Sequence, residues 1–165
     1  MSKKNITSMN PTILRFATAF GISPRMRFDL TISEFVKELF LGKELEIFYP
    51  NTWRPYCHVN DFSLLIQKII TAPLEKISFE IYNAGSNENN ASKQIILDKI
   101  LKFIPNGSFK YIKSGDDLRN YKVNFDKVFN ELEFKPKYSI EYGINEIINS
   151  FKEDRFSDVE KNILN

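Results

Sequence analysis

Apolar and polar positions along the chain switch between two periods, and the switches mark out its elements. Residues 12–16 (TILRF) follow Pro11 as a short β-branched and aromatic run, which predicts a strand. Gly21, Ser23 and Pro24 punctuate a loop carrying Arg25 and Arg27. Ile32, Phe35, Val36, Leu39 and Phe40 then recur at helical spacing up to Gly42, predicting an amphipathic helix with a glycine stop. Leu45, Ile47 and Tyr49 alternate with Glu44, Glu46 and Phe48 as a second strand, Pro50, Asn51 and Thr52 make a turn, and residues 56–59 read as a third strand. Asn60 is placed to cap the next helix with Asp61 in its first turn, and Phe62, Leu65, Ile66, Ile69 and Ile70 line one face until Pro73.

The same alternation continues downstream. Residues 79–83 (FEIYN) predict a strand, 85–90 a polar loop and 92–104 a helix ahead of Pro105. Residues 109–112 read as a short strand, 113–120 as a charged turn, 121–125 as another strand, and 126–132 as a short helix capped by Asp126. A last helix over 140–151 precedes a charged tail. Strands alternating with helices at this density, without a long linker or a detectable internal repeat, predict α/β architecture in one unit.

Composition narrows the chemistry. The 165 residues contain 15 Phe and seven Tyr among 42% hydrophobic positions, enough for a core. The 23 Lys and Arg against 21 Asp and Glu leave a net charge of +2, without the basic excess of a phosphate-tracking surface, so nucleic acid is not an expected partner. One cysteine, Cys57, excludes an internal disulfide, and one histidine, His58, excludes a two-histidine metal motif. The start MSKKNITSMN is not followed by an apolar run, and no stretch of eighteen apolar residues occurs, so neither export nor a membrane span is expected and a cytoplasmic location is. The abundant Lys, Ile and Asn read as compositional background.

Several catalytic signatures are absent. Glycines fall at 21, 42, 85, 107, 115 and 143, so G-x-G-x-x-G cannot be written, and Gly42-Lys43 is followed by Glu44 where a P-loop needs Ser or Thr. There is no G-x-S-x-G elbow. Cys57 and His58, adjacent on a strand, would face opposite sides, so Cys57 reads as a buried strand cysteine before it reads as a nucleophile.

The informative segment is Arg54-Pro55-Tyr56-Cys57-His58-Val59-Asn60-Asp61. Alternation sends Arg54, Tyr56 and His58 to one side and Pro55, Cys57 and Val59 to the other. Two readings stand for Arg54: a guanidinium at a cleft mouth, forked onto a phosphate or carboxylate, and a surface arginine lying over Trp53 or Tyr56. Asp61 reads as a helix N-terminal charge before a catalytic acid.

The order of five segments, namely residues 13–21 (ILRFATAFG), 54–61, 81–85 (IYNAG), 127–136 and Gly143-Ile144, resembles the C-terminal half of the NAD-dependent epimerase/dehydratases. These are extended short-chain dehydrogenases that act on nucleotide-diphosphate sugars. The likeness covers about residues 11–151. It implies the C-terminal part of a Rossmann-like fold, a substrate lobe plus the last sheet strands, without the N-terminal dinucleotide-binding part that carries the glycine fingerprint and the catalytic Tyr-x-x-x-Lys. None of the seven tyrosines here has a lysine four residues on. Residues 1–10 are then expected to be a disordered or extended N-terminus, 11–151 the substrate-binding half, and 152–165 a charged tail.

The resemblance assigns Phe16, Ala17 and Thr18 to the strand-end turn that passes the nicotinamide and the sugar-nucleotide diphosphate, with Thr18 standing where many relatives carry Asn. Phe48 falls where an aromatic packs on the base, or is a half-buried strand residue. Tyr49-Pro50 replaces the glycine often found after that strand. Arg54 matches the diphosphate-binding arginine. Lys113 occupies the place of another phosphate-binding Arg, with Arg119 nearby as a substitute, and a solvated turn is the alternative for both. The implied partners are a nucleotide-diphosphate sugar and a separately encoded dinucleotide-binding half, and an uncovered apolar face would favour a homo-oligomer. NAD or NADP belongs to the complete family enzyme and is not expected to bind this chain alone, which is then inactive alone. The rival expectation is a non-catalytic nucleotide-sugar binding or interaction module derived from the family.

Overall fold

The structure is a computed structural model that describes residues 9–112 and 119–156. The first strand, β1 (Ile13–Phe16), pairs in parallel with β5 (Ile81–Ala84), Ile13 opposite Ile81 and Phe16 opposite Ala84. Past Ala17 the same extended run becomes β2 (Thr18–Phe20), which changes partner and pairs in parallel with β4 (Trp53–His58), Thr18 opposite Tyr56. On the other side of β4 lies the antiparallel β6 (Asn90–Ser92). A separate parallel pair joins β3 (Leu45–Phe48) to β7 (Phe109–Ile112). The helices are α1 (Thr31–Phe40), α2 (Val59–Thr71), α3 (Leu74–Ile77), α4 (Lys93–Leu101), α5 (Asp126–Leu132) and α6 (Ile140–Lys152).

Two apolar cores follow from this division. The larger packs Val36 and Leu39 of α1, Ile96 and Ile100 of α4 and Ile144 and Ile147 of α6 around Phe20, Ile47 and Tyr56. The smaller packs Leu65 of α2, Tyr82 and Ala84 of β5 and Val128 and Leu132 of α5 around Phe125. Each such side chain, fully buried, contributes about 1.5–3 kcal/mol. Serines start two helices: the Ser92 hydroxyl accepts from the Ile95 amide and that of Ser139 from the Tyr142 amide, satisfying end donors the helix itself cannot.

The predicted α/β class and most elements are found, with corrections that have physical causes. The strand read at 56–59 is β4 and starts at Trp53, so Arg54 lies inside it. Tyr56, Cys57 and His58 are all buried, because β4 is covered on both faces, so its alternation does not separate a buried side from an exposed one. Asn60 does not cap α2: His58 Nδ1 accepts from the Asn60 amide at 3.2 Å and the helix begins at Val59. Nor does Asp126 cap α5, since it lies within the first turn and donates its amide to Asn124 Oδ1 at 2.8 Å. Residues 121–125 form no strand. Tyr49 leaves β3 with φ 49°, the left-handed turn conformation where glycine is easiest, and Phe79 at φ 60° delays β5 to Ile81. Too short to show a period, β2, β6 and α3 were not predicted. No helix among the described residues is long and apolar enough to cross a membrane.

Candidate functional site

The change of partner at Ala17 opens a cleft. β1 stays with β5 while β2 departs with β4, and ligands of open α/β sheets bind where strands part, beyond their carboxyl ends. One step back along the β2–β4 register from the Thr18–Tyr56 pair places Pro55 opposite Ala17, and both line the cleft with Phe16 and Asn83. Its volume is about 460 Å³, within the range of small-molecule sites. Among the described residues the remaining wall is 121–125, and Arg15 and Lys122 are the cations of the lining. Among the described residues the lining contains no carboxylate, so the charge of those residues favours an anion.

Arg54 stands beside this cleft. Its Nη1 donates to the Trp53 carbonyl at 2.9 Å and to the Arg119 carbonyl, and its guanidinium lies 5.1 Å from the ring centre of Tyr121, which lines the cleft. It is Lys122, not Arg54, that covers Trp53, with Nζ 3.6 Å from the ring centre. The fold thus brings together Phe16, Ala17, Arg54 and Arg119, the last through its carbonyl. Thr18 continues the same turn on β2 and is half-buried, but is not among the lining residues. Phe48 ends β3 outside the cleft, 37% exposed, with its carbonyl accepting from Lys93 Nζ at 2.8 Å. Lys113 lies outside the described residues.

Sequence reasoning missed Tyr121, Lys122 and the asparagines that hold residues 123–125 beside them. Asn90 clasps Val123, Oδ1 accepting from its amide and Nδ2 donating to its carbonyl, both at 3.0 Å. Asn83 Nδ2 donates to the Asn124 carbonyl at 3.1 Å, and Asn87 Oδ1 accepts from the Phe125 amide at 2.9 Å. Asn87 and Asn124 amides also donate to the Asp126 carboxylate at 2.6 and 2.7 Å, holding its pKa below the ordinary value. The available signal is the recurrence of Asn at 83, 87, 90, 120 and 124, which composition alone does not distinguish from background.

Asp61, His58 and Cys57 of β4 and α2 are held in the interior. Asp61 is fully buried and accepts from the amides of Lys137 and Tyr138 at 2.8 and 3.2 Å, tying α2 to the entry of α6. His58, also fully buried, accepts at Nδ1, so its proton lies on Nε2 and is donated to Glu146 at 3.0 Å. Burial, then the nearby charge of Asp61, pushes the Cys57 thiol up, away from a reactive thiolate.

No model of a known protein family matches the chain. An uncharacterized protein of Methanocaldococcus jannaschii is 30% identical over 145 residues, covering 86% of this chain and 43% of that protein. A UDP-glucuronate 4-epimerase of Thermodesulfobacterium geofontis is 25% identical over 153 residues, covering 91% of this chain and 46% of its own length. The Bacillus cereus UDP-glucuronic acid 4-epimerase, solved with UDP-glucuronic acid and NAD, superposes on 86% of the chain with a TM-score of 0.72 at 23% identity. The chain shares its fold with part of that epimerase. As in the C-terminal part of that Rossmann-like fold, strands and helices alternate around a parallel arrangement, and the chain spans under half the length of these relatives.

Among the described residues, the turn after β5 does not fit a dinucleotide pyrophosphate. A cofactor pyrophosphate needs glycines that let it approach backbone amides at a helix start. The glycine after β5, Gly85, opens onto no such space: a Cβ there would stand 2.6 Å from the Phe125 ring, which fills it. Phe16 and Ala17 supply a wall of the cleft and no phosphate cradle.

Proposed function

We propose that this chain is the substrate-binding half of an NAD-dependent nucleotide-sugar epimerase or dehydratase. Arg54 binds the diphosphate, helped by Arg119 and Lys113, while Phe16, Ala17 and Thr18 face the sugar and the nicotinamide, and Phe48 packs on the base. Supporting it is the coincidence of an anion-favouring cleft at the divergence of β1 and β2, flanked by Arg54, with a fold shared with an epimerase solved with UDP-glucuronic acid and NAD. The chain's sequence contains neither a Tyr-x-x-x-Lys nor a glycine fingerprint, so the proton and hydride transfers fall to a dinucleotide-binding half, on the same or a separately encoded polypeptide. Alone, the 165 residues bind without turnover, in the cytoplasm where nucleotide sugars are used.

That second half has a place to dock. Among the described strands β1 pairs only with β5, and parallel strands are normally covered on both faces and flanked by others. Phe16 packs edge-on against Phe62 at 4.6 Å, and Phe62, Ile66 and Ile70 follow at i, i+4 and i+8 along α2, with Ile70 76% exposed. This apolar stripe beside an unpaired strand edge suits an α/β partner adding a strand and a helix. Calorimetric titration of the 165-residue chain with UDP-glucuronic acid is expected to give saturable binding, weakened about 10- to 100-fold in Arg54→Ala, the value of a charged hydrogen-bonding contact. Absence of heat with UDP- and TDP-sugars would refute the assignment.

A further inference from the structure

The wall formed by residues 119–125 is fastened in two different ways at its two ends. At the far end Phe125 is buried in the smaller core against Gly85, and Asn83, Asn87 and Asn90 hold the backbone of Val123, Asn124 and Phe125. At the near end residues 119–122 are exposed. The contacts there include the Tyr121 amide to the Trp53 carbonyl at 3.2 Å, the Trp53 amide to Asn120 Oδ1 at 2.9 Å, Lys122 over Trp53, and Arg54. Arg54 donates to the Arg119 carbonyl and stacks on Tyr121, so the side chain proposed to take the diphosphate is also the clasp of the strap.

We propose that residues 119–122 are a ligand-released strap: an anion entering the cleft competes with the Arg119 carbonyl for the Arg54 guanidinium, and its binding unfastens the strap from β4 while Phe125 stays in place as the hinge anchor. This rests on the assignment of Arg54 to the diphosphate. A carboxylate or phosphate is the stronger acceptor, because both partners of the hydrogen bond are then charged and the fork geometry is matched. The exchange has a defined consequence. Part of the binding free energy is spent breaking strap contacts, so any change that loosens the strap without touching the cleft tightens binding. Asn120 is such a site, since it is exposed, does not line the cleft, and contributes the acceptor for the Trp53 amide. It fastens the strap to β4 and is not a ligand contact.

The test uses the full chain with UDP-glucuronic acid as probe, combining calorimetry with amide hydrogen exchange. In the wild type, ligand is expected to speed exchange at the Trp53 and Tyr121 amides while leaving that of Phe125 slow. Asn120→Ala is expected to lower the Kd about fivefold, the value of one net hydrogen bond. Without ligand, Arg54→Lys, which keeps the charge but loses the fork, is expected to speed exchange at Tyr121. Wild-type binding that slows exchange at Trp53 and Tyr121, or an Asn120→Ala variant that binds no tighter than wild type, would overturn the strap and leave the nucleotide-sugar assignment standing. No binding by either protein would overturn both.

Discussion

Gly21 tests how closely the turn after β2 is fitted to the buried histidine of β4. Its φ is +100°, a backbone conformation L side chains rarely adopt, and a Cβ built there would stand 2.2 Å from His58 Nε2 and 2.7 Å from both Cδ2 and Cε1. The ring cannot retreat. His58 is held at Nδ1 by the Asn60 amide and at Nε2 by Glu146, stacks on Tyr138 at 4.6 Å, and meets Phe20 edge-on at 5.2 Å. Glu146 in turn accepts from the Ile22 amide at 3.0 Å, so moving the turn breaks a second contact. Gly21→Ala therefore combines backbone strain of about 1–3 kcal/mol with overpacking of about 1–3 kcal/mol, a loss of about 2–6 kcal/mol. For a chain of this size that is a fall in Tm of about 4–24 °C, measured by circular dichroism with urea unfolding as the second probe. Removing the ring removes the clash, so Gly21→Ala in a His58→Ala background should lose at least about 1 kcal/mol less than in the wild type. A loss below about 0.5 kcal/mol for Gly21→Ala, or strict additivity with His58→Ala, would refute the fit.

Three further expectations accompany those for Arg54 and Asn120. Hydrogen bonds from Asn124 and Asn87 hold the Asp126 carboxyl below its ordinary 3.8 when folded, so its contribution to stability is present above 3.8 and lost as pH falls through the lower folded value. Carbon-detected titration should find its midpoint below 3.8 and see it rise in Asn87→Ala; an unmoved midpoint counts against the Asn87 contact. Cys57, buried and with its thiol pushed up by burial, should react with a thiol reagent only at the rate of global unfolding, and rapid native labelling would contradict its placement. Finally, Ile70→Glu on the exposed stripe should leave the chain's melting temperature within about 2 °C of wild type while abolishing co-purification with a dinucleotide-binding half, and an undiminished complex would locate the docking face elsewhere.

What the sequence determined by itself was local. Periods of 3.6 in Ile32 to Phe40 and of two in Leu45 to Phe48 specify α1 and β3, because an amphipathic stripe has one way to turn its apolar side inward. The order of short motifs around Arg54 pointed to the fold and to one wall of the cleft, since those residues are contiguous along one strand and its flanks. Only the tertiary structure decided the rest. β2 and β6 are three residues each and show no period; they exist because β4 offers them an edge. The partner exchange at Ala17 is a property of two sheets and is invisible in one strand. Residues 121–125 read as a strand by composition, yet the backbone groups of 123–125 pair with side-chain amides of Asn83, Asn87 and Asn90, more than thirty positions away in the chain. Hydrogen bonds of that kind leave no periodic trace, which is why the wall of the site, and the clasp Arg54 makes on it, had to be seen in three dimensions.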